Sequence, residues 1–159
     1  MKKLIYLLFI FIFTTSSCHL TKKHAANKDQ GSNETLSIEV KRTACFGRCP
    51  VYTIKIQGTG KVWYEGKANV EKMGRYEKQI TQDEVNVLIK AFEDAKIWEL
   101  QDEYTAKVTD FPTTYVSFSL NGKIKKIKDY YGAPQILKYL EKRIDDIANS
   151  GEWKKISEE

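Results

Sequence analysis

Short stretches of the chain alternate between hydrophobic and polar residues, which is the periodicity of β-strands that bury one face. Five stretches are predicted as strands on this basis, and they cover residues 36–41, 51–57, 61–65, 75–80 and 114–120. Two of them are followed by turn sequences, Gly58-Thr59-Gly60 and Asn121-Gly122. Because strands joined by such turns pair antiparallel, the pattern predicts two β-hairpins.

The returning strand of the second hairpin is predicted over residues 123–130. Its alternation breaks between Ile124 and Ile127, which are three positions apart instead of two. An extra residue in one strand of an antiparallel pair produces this kind of break. The sequence therefore predicts a β-bulge near Lys125 and Lys126.

Two segments have the period of an amphipathic α-helix instead. In the first, Thr81 and Glu84 have the spacing of a capping box, and the apolar face that follows is Val85, Leu88, Ile89 and Phe92. The second begins after Gly132-Ala133-Pro134 and ends at Ser150-Gly151, with an apolar face of Leu137, Leu140, Ile144 and Ile147. Asp145 and Asp146 on this helix are interpreted as surface charges.

The order of the predicted elements is four strands, a helix, two strands and a second helix. Consecutive hairpins favour antiparallel pairing, so the fold class is α+β: an antiparallel twisted sheet of about five to six strands with two helices packed on one face. This single domain is assigned to residues 36–153, and residues 154–159 are a polar tail.

The start of the chain has the pattern of an export signal. Two lysines precede an apolar run of ten residues, Leu4 to Phe13, which is half the length that crosses a bilayer. Small polar residues then lead to Cys18, and this order resembles the lipobox of bacterial lipoproteins, although Thr15 replaces the usual leucine. We expect a signal peptide over residues 1–17, an acylated Cys18 and a flexible tether over residues 18–35; plain secretion and an uncleaved anchor are the alternatives. His19 instead of aspartate follows the cysteine, and resemblance to known lipoprotein sorting rules therefore implies the outer membrane, facing the periplasm.

Charge and histidine content exclude several functions. Without residues 1–17, 24 basic residues face 21 acidic ones, and a net charge of about +3 is too small to indicate a nucleic-acid partner. Both histidines, His19 and His24, precede the predicted domain. Histidine-dependent catalysis, histidine-ligated zinc and histidine-bound haem are therefore not expected in the domain. We predict a protein that is not an enzyme, with no catalytic, cofactor or metal site.

Cys45 and Cys49 are the two cysteines of the predicted domain. Export places them in an oxidising compartment, and Gly47 between them allows the tight curl that a disulfide needs. A structural disulfide is the favoured interpretation. A redox-active pair beside Arg48 is the alternative, although the spacing is not that of a C-x-x-C motif. Metal binding by the two thiolates is the least favoured.

The cysteine segment also carries a family resemblance. The chain resembles the bacterial domain-of-unknown-function family numbered 6438 over roughly residues 36–153, in a lipoprotein context. The segments that match are Arg42–Tyr52, Gly60–Gly66, Thr109–Thr114 and Gly132–Pro134, with Leu137, Leu140 and Ile144 of the second helix. The resemblance implies one domain and brings no assigned activity.

Two residues are candidates for binding a partner. Trp63 lies on the strand face opposite Val62 and Tyr64, and Arg48 lies within the cysteine motif. A basic run, Lys123 to Lys128, is suited either to anionic lipid or polysaccharide or to protecting an edge strand. Asp110 and Asp129 lie near loop ends, and nothing in the sequence brings them together.

The sequence thus favours a lipid-anchored, non-enzymatic binding or structural module of the cell envelope. Its expected partners are the membrane, through the lipid, and an envelope protein or polysaccharide. Two alternatives stay open: a thiol–disulfide protein that uses Cys45 and Cys49, and an inhibitor of a wall-degrading enzyme. The positive net charge counts against the inhibitor, because wall-degrading enzymes are often cationic.

Overall fold

The computed structural model describes residues 35–156, so the predicted signal peptide, Cys18 and most of the tether lie outside the described residues. The elements are β1 (Ser37–Arg42), β2 (Val51–Gln57), β3 (Lys61–Ala68), β4 (Gly74–Gln79), α1 (Gln82–Asp94), a 3-10 turn (Ile97–Glu99), β5 (Glu103–Tyr104), β6 (Thr114–Leu120), β7 (Lys123–Asp129), α2 (Gln135–Asn149) and β8 (Lys154–Lys155). Neither α1 nor α2 has the length and apolar character needed to span a bilayer.

The strands form one open sheet in the order β5-β7-β6-β1-β2-β3-β4-β8. Neighbouring strands are antiparallel except for β5 and β7, which are parallel. The α+β class is therefore confirmed, but the expected five to six strands are too few, since the described residues form eight. The two additional strands, β5 and β8, have two residues each. Strands this short carry no periodic signal in the sequence.

Both helices pack on the same face of the sheet, which we call the inner face. Phe92 of α1 stacks on Phe118 of β6 with ring centroids 4.6 Å apart. The hydrophobic face of α2 is fully buried in the same core, through Leu137, Leu140 and Ile144. The opposite face of the sheet, the outer face, has neither helix against it.

The helix boundaries follow local chemistry. The side chain of Thr81 accepts a hydrogen bond from the Glu84 N–H, and the Glu84 carboxylate accepts one from the Thr81 N–H, so the predicted capping box is confirmed. Helix α2 begins one residue after Pro134, whose ψ of 152° is still extended. It ends before Gly151, where a φ of 70° favours glycine.

The predicted bulge near Lys125 and Lys126 is wrong. β6 and β7 pair in unbroken register from Thr114 opposite Asp129 to Leu120 opposite Lys123. The alternation breaks because Ile124 points to the outer face, where 62% of its surface is exposed. Lys125 takes an inner-face position, where its ammonium group bonds to the Leu100 carbonyl and to Asp102.

The domain has two distinct ends. Thr35, the first described residue, donates a hydrogen bond to Asn121 at 2.8 Å, beside the turn between β6 and β7. Strand β1 then runs the length of the sheet, roughly 20 Å for six residues. The cysteine segment follows β1 at the other end, which we call the disulfide end.

Candidate functional site

A disulfide between Cys45 and Cys49 closes a five-residue loop at the disulfide end. The Cα atoms of the two cysteines are 5.7 Å apart, whereas an extended chain would separate them by roughly 13 Å. The chain therefore curls between them, as the glycine at position 47 allows. The predicted bridge is present, and we call residues 45–49 the disulfide loop.

Hydrogen bonds hold the disulfide loop on both flanks. Before the loop, the Thr43 N–H donates to the Thr113 carbonyl at 3.0 Å, and the Thr113 N–H donates to the Thr43 hydroxyl at 2.9 Å. After the loop, the Asn69 side-chain amide donates to the Cys49 carbonyl at 3.0 Å. The loop is therefore tied to its neighbouring loops as well as closed upon itself.

The disulfide loop holds a phenylalanine in solvent. Phe46 is 91% exposed, and Arg48 beside it is also exposed. Burying a phenylalanine side chain contributes about 1.5–3 kcal/mol, and Phe46 contributes none of this to the fold. Exposed aromatic and arginine side chains on a constrained backbone are typical of protein-binding sites.

Beneath the loop, the last residue of β1 is paired with α2. Arg42 donates through Nε and Nη2 to both carboxylate oxygens of Asp145, at 2.9 and 2.5 Å. Its Nη1 donates to the Thr114 hydroxyl at 2.9 Å. The Tyr52 hydroxyl donates to the same Asp145 carboxylate. These bonds join the disulfide end of the sheet to the helix.

The pKa values of these groups follow from burial and pairing. Burial lowers the pKa of Arg42, but the hydrogen bond and charge of Asp145 raise it above its ordinary value. Burial, together with the hydrogen bond to Asp145, raises the pKa of Tyr52. At neutral pH the Arg42 guanidinium is therefore charged and the Tyr52 hydroxyl keeps its proton.

A second buried polar group lies next to this pair. Glu141 of α2 and Asp129 of β7 are 2% and 1% exposed. The Lys138 ammonium pairs with Asp129 and lies 3.8 Å from Glu141, and the Arg42 guanidinium lies 3.6 Å from Glu141. Burial, followed by a hydrogen bond with Asp129, raises the pKa of Glu141 to about 8.

A polar cleft of about 640 Å³ opens between α2, β2 and the loop that joins β3 to β4. Tyr52 and Tyr64 stack in it with centroids 5.2 Å apart. Burial raises the pKa of Tyr64 to about 12, so its hydroxyl stays protonated at neutral pH. Pro50, next to the disulfide loop, also lines the cleft, so cleft and loop form one continuous surface.

The two predicted partner-binding residues lie on different surfaces. Arg48 is on the disulfide loop, whereas Trp63 is half-buried on the outer face, with the Lys61 ammonium 5.1 Å from its ring. No contact joins the two residues in the described part of the chain. Residues 35–156 also contain no group of three or more His, Cys, Asp or Glu side chains arranged to hold a metal ion.

Sequence reasoning missed the polar residues of α2 that face the sheet. Asp145 was interpreted as a surface charge, and that interpretation is wrong because its carboxylate is held by Arg42 and Tyr52. Lys138, Glu141 and Asp145 recur at three- and four-residue spacing, one position after each apolar residue of the buried face. This spacing places the three polar side chains along one side of α2, so it indicates a polar stripe beside the apolar one that faces the sheet.

The chain matches no curated protein. A family model described as a domain of unknown function (DUF6438) does match it, over residues 36–148. The matched range begins just before β1 and ends within α2, so it contains the disulfide loop and the polar residues that α2 directs at the sheet. The chain therefore belongs to this family.

Proposed function

We propose that this protein is a lipid-anchored, non-enzymatic binding module of the cell envelope, which contacts a partner protein through the disulfide loop. The membrane attachment in this proposal is acylation of Cys18. The observation that carries the binding role is Phe46, which is 91% exposed on a loop closed by a disulfide. A folded domain gains nothing in stability from this placement, whereas a partner would gain a preorganised apolar anchor.

The side chains around Phe46 support a protein partner. Arg48 is two residues away and exposed, and none of the ion pairs within residues 35–156 involves it. A second aromatic pair, Phe111 and Tyr131, is about half exposed on loops at the same end, with ring centroids 5.3 Å apart. Aromatic and arginine side chains dominate the binding energy of most protein interfaces.

The position of the loop fits attachment at the opposite end. Thr35 lies beside the β6–β7 turn, and the disulfide loop lies about the length of β1 away from it. A chain that leads from Thr35 back to an acylated Cys18 would connect the turn end to the membrane. The disulfide loop would then lie at the end of the domain opposite the point of attachment, within reach of proteins of the periplasm.

Site-specific photocrosslinking in living cells tests this function. A photoreactive phenylalanine analogue replaces Phe46 in one strain and Val87, an exposed residue of α1, in a second strain. We expect a discrete protein adduct at position 46 and none at position 87. The adduct is expected to weaken in R48E and to persist in R75E, which makes the same charge change at an exposed arginine of β4.

Equal adducts at positions 46 and 87 would mean that capture reflects exposure alone, and the proposal would fail. It would also fail if no adduct formed at position 46 although the protein was folded and exported. Partner identity follows from the adduct mass and the peptides it contains.

A further inference from the structure

The outer face of the sheet contains a depression of about 650 Å³ over strands β7, β6, β1 and β2. In register across these strands, Lys126 lies opposite Ser117, Ser117 opposite Glu39, and Glu39 opposite Lys55. Two positions along, Tyr115 lies between Lys128 and Lys41. We call this surface the basic depression.

Three lysines of the depression have no counter-ion in the described part of the chain. No acidic group lies within ion-pair distance of Lys41, Lys55 or Lys126 among residues 35–156. Other lysines of the same face are paired, as Lys61 is with Glu77 at 3.0 Å and Lys128 is with Glu103 at 2.8 Å. The unpaired lysines of the outer face are therefore concentrated in the depression.

The acidic residues that line the depression do not neutralise it. Asp102 is paired with Lys125, whose side chain projects to the inner side of β7. Glu39 is then the acidic residue of the lining that is left to offset the charge of the three unpaired lysines. Lys128 adds to this positive charge, although its ammonium group is paired with Glu103. The basic depression is therefore an attractive site for anions, and its field is strongest at low salt.

The floor and wall add a second kind of chemistry. Small hydroxyl side chains, Ser37, Ser117 and Ser119, line the depression between the lysines. The ring of Tyr115 is 42% exposed beside them. Hydroxyls that donate and accept hydrogen bonds, together with an exposed aromatic ring, suit the hydroxyls and the C–H faces of sugars.

We propose that the basic depression binds a segment of acidic polysaccharide. Carboxylates of the polymer contact Lys41, Lys55 and Lys126, sugar hydroxyls contact the serines, and one sugar ring lies on Tyr115. A flat anionic bilayer fits this surface less well, because the lysines surround a hollow instead of projecting from a ridge. The basic depression shares no residue with the disulfide loop, so polysaccharide binding can be present or absent independently of partner binding.

Binding of polygalacturonate to the immobilised full-length protein in non-ionic detergent tests the proposal. Dextran is the neutral polymer, polyglutamate is the acidic polymer without sugars, and detergent micelles doped with phosphatidylglycerol represent a lipid surface. We expect saturable binding of polygalacturonate that weakens with salt, and at least ~10-fold weaker binding of the other three probes.

Matched variants locate the site. The triple substitution K41Q/K55Q/K126Q is expected to weaken polygalacturonate binding by ~10-fold or more and to make its salt dependence shallower. The control K90Q/K107Q/K155Q removes the same charge from lysines outside the depression, so it is expected to change binding less than ~2-fold. Y115A is expected to weaken polygalacturonate and leave residual polyglutamate binding unchanged, whereas Y139A, an exposed tyrosine of α2, affects neither.

Two results would overturn the inference. The first is equal affinity for polygalacturonate and for polyglutamate or the anionic micelles, because charge alone would then explain binding. The second is an equal loss in the two triple variants, because binding would then follow net charge and not this surface.

Discussion

At the scale of single residues, the least expected feature is the buried carboxyl pair of Glu141 and Asp129. Each has one buried oxygen that no donor group of another described residue reaches, Oε1 of Glu141 and Oδ1 of Asp129. Two carboxylates cannot satisfy each other, since both accept hydrogen bonds. A proton on Glu141 supplies the missing donor, and the raised pKa of Glu141 has the same physical basis.

This proton predicts that stability depends on pH through Glu141. The pKa of Glu141 rises from 4.5 to about 8 on folding, so the folded protein holds more protons between these values. The stabilisation that comes from protonated Glu141 is therefore complete below pH 4.5 and is lost as the pH rises through about 8. E141Q keeps an amide donor toward Asp129 and does not titrate. We expect the stability of wild type relative to E141Q to fall by more than ~1 kcal/mol between about pH 5 and pH 8, measured by urea unfolding.

The control for this experiment is E99Q, which changes an exposed glutamate of the 3-10 turn. Its stability relative to wild type is expected to stay constant over the same pH range, because solvent screens the charge of Glu99. A flat difference between wild type and E141Q would show that Glu141 is ionised in the folded protein. The partners that set its titration are Asp129, Lys138 and Arg42, and all three are unchanged in E141Q.

The sequence shows which residues are charged, but it does not show which partners they meet in the fold. Asp129 could be assigned to a loop end, but its partners come from α2, at positions 138 and 141 of the chain. Periodicity separates the buried and exposed faces of a helix, yet it does not say which polar residue at the border of the two faces meets a charge on another element. Arg42 belongs to the cysteine motif in the sequence, whereas only the structure shows that it joins β1 to α2.

At the scale of elements, the disulfide loop was the most predictable part of the site. The glycine between the cysteines and the predicted export signal both favoured a bridge, and the bridge is present. What the sequence could not give is how the loop is supported. Thr113 and Asn69 come from distant segments, 70 and 20 residues away from their partners.

The bridge is expected to stabilise the domain modestly. Closing a five-residue loop reduces the entropy of the unfolded chain by an amount worth ~2 kcal/mol on the chain-entropy model. We therefore expect C45S/C49S to lower the free energy of unfolding by ~2 kcal/mol in urea titrations. Dithiothreitol is expected to lower the stability of wild type to that of the variant and to leave the variant unchanged.

The same variant separates a structural bridge from a redox-active one. A structural disulfide is expected to have a reduction potential below about −300 mV, out of reach of envelope thiol–disulfide enzymes. A much less negative potential, or an unchanged stability in C45S/C49S, would favour the redox alternative instead. In either case the pairing of Arg42 with Asp145 is untouched, since no atom of either cysteine takes part in it.

Strands and helices were predictable in proportion to their length. Each of the six predicted strands and both helices appear, and Val51–Gln57 and Thr114–Leu120 have the predicted bounds. The two-residue strands β5 and β8 depend on tertiary pairing with β7 and β4. The register shift that does occur lies between Val51 and Tyr52, directly after the disulfide loop. No alternation signal marks it, because Val51 is the first residue of its strand.

At the scale of the whole molecule, three surfaces have different positions relative to Thr35. The β6–β7 turn lies beside Thr35, the disulfide loop lies at the far end of β1, and the basic depression lies on the outer face between them. A protein held at its N-terminus could therefore present the far end to a soluble partner and its side to an extended polymer. The two proposed binding roles do not compete for the same residues.

This arrangement depends on attachment of the chain through Cys18. If the thiol of Cys18 is acylated after cleavage, cells grown with labelled palmitate should yield a labelled protein that lacks residues 1–17 and fractionates with the membrane. C18A should lose the label and accumulate with its apolar segment uncleaved. C45S/C49S is the matched control, because it removes two cysteines and should keep the label.

Two results would disprove attachment through Cys18. One is a C18A protein that is still labelled, and the other is a wild-type protein that still starts at Met1 and is found in the cytosol. Without this attachment, the distance between Thr35 and the disulfide loop would no longer separate the loop from a membrane.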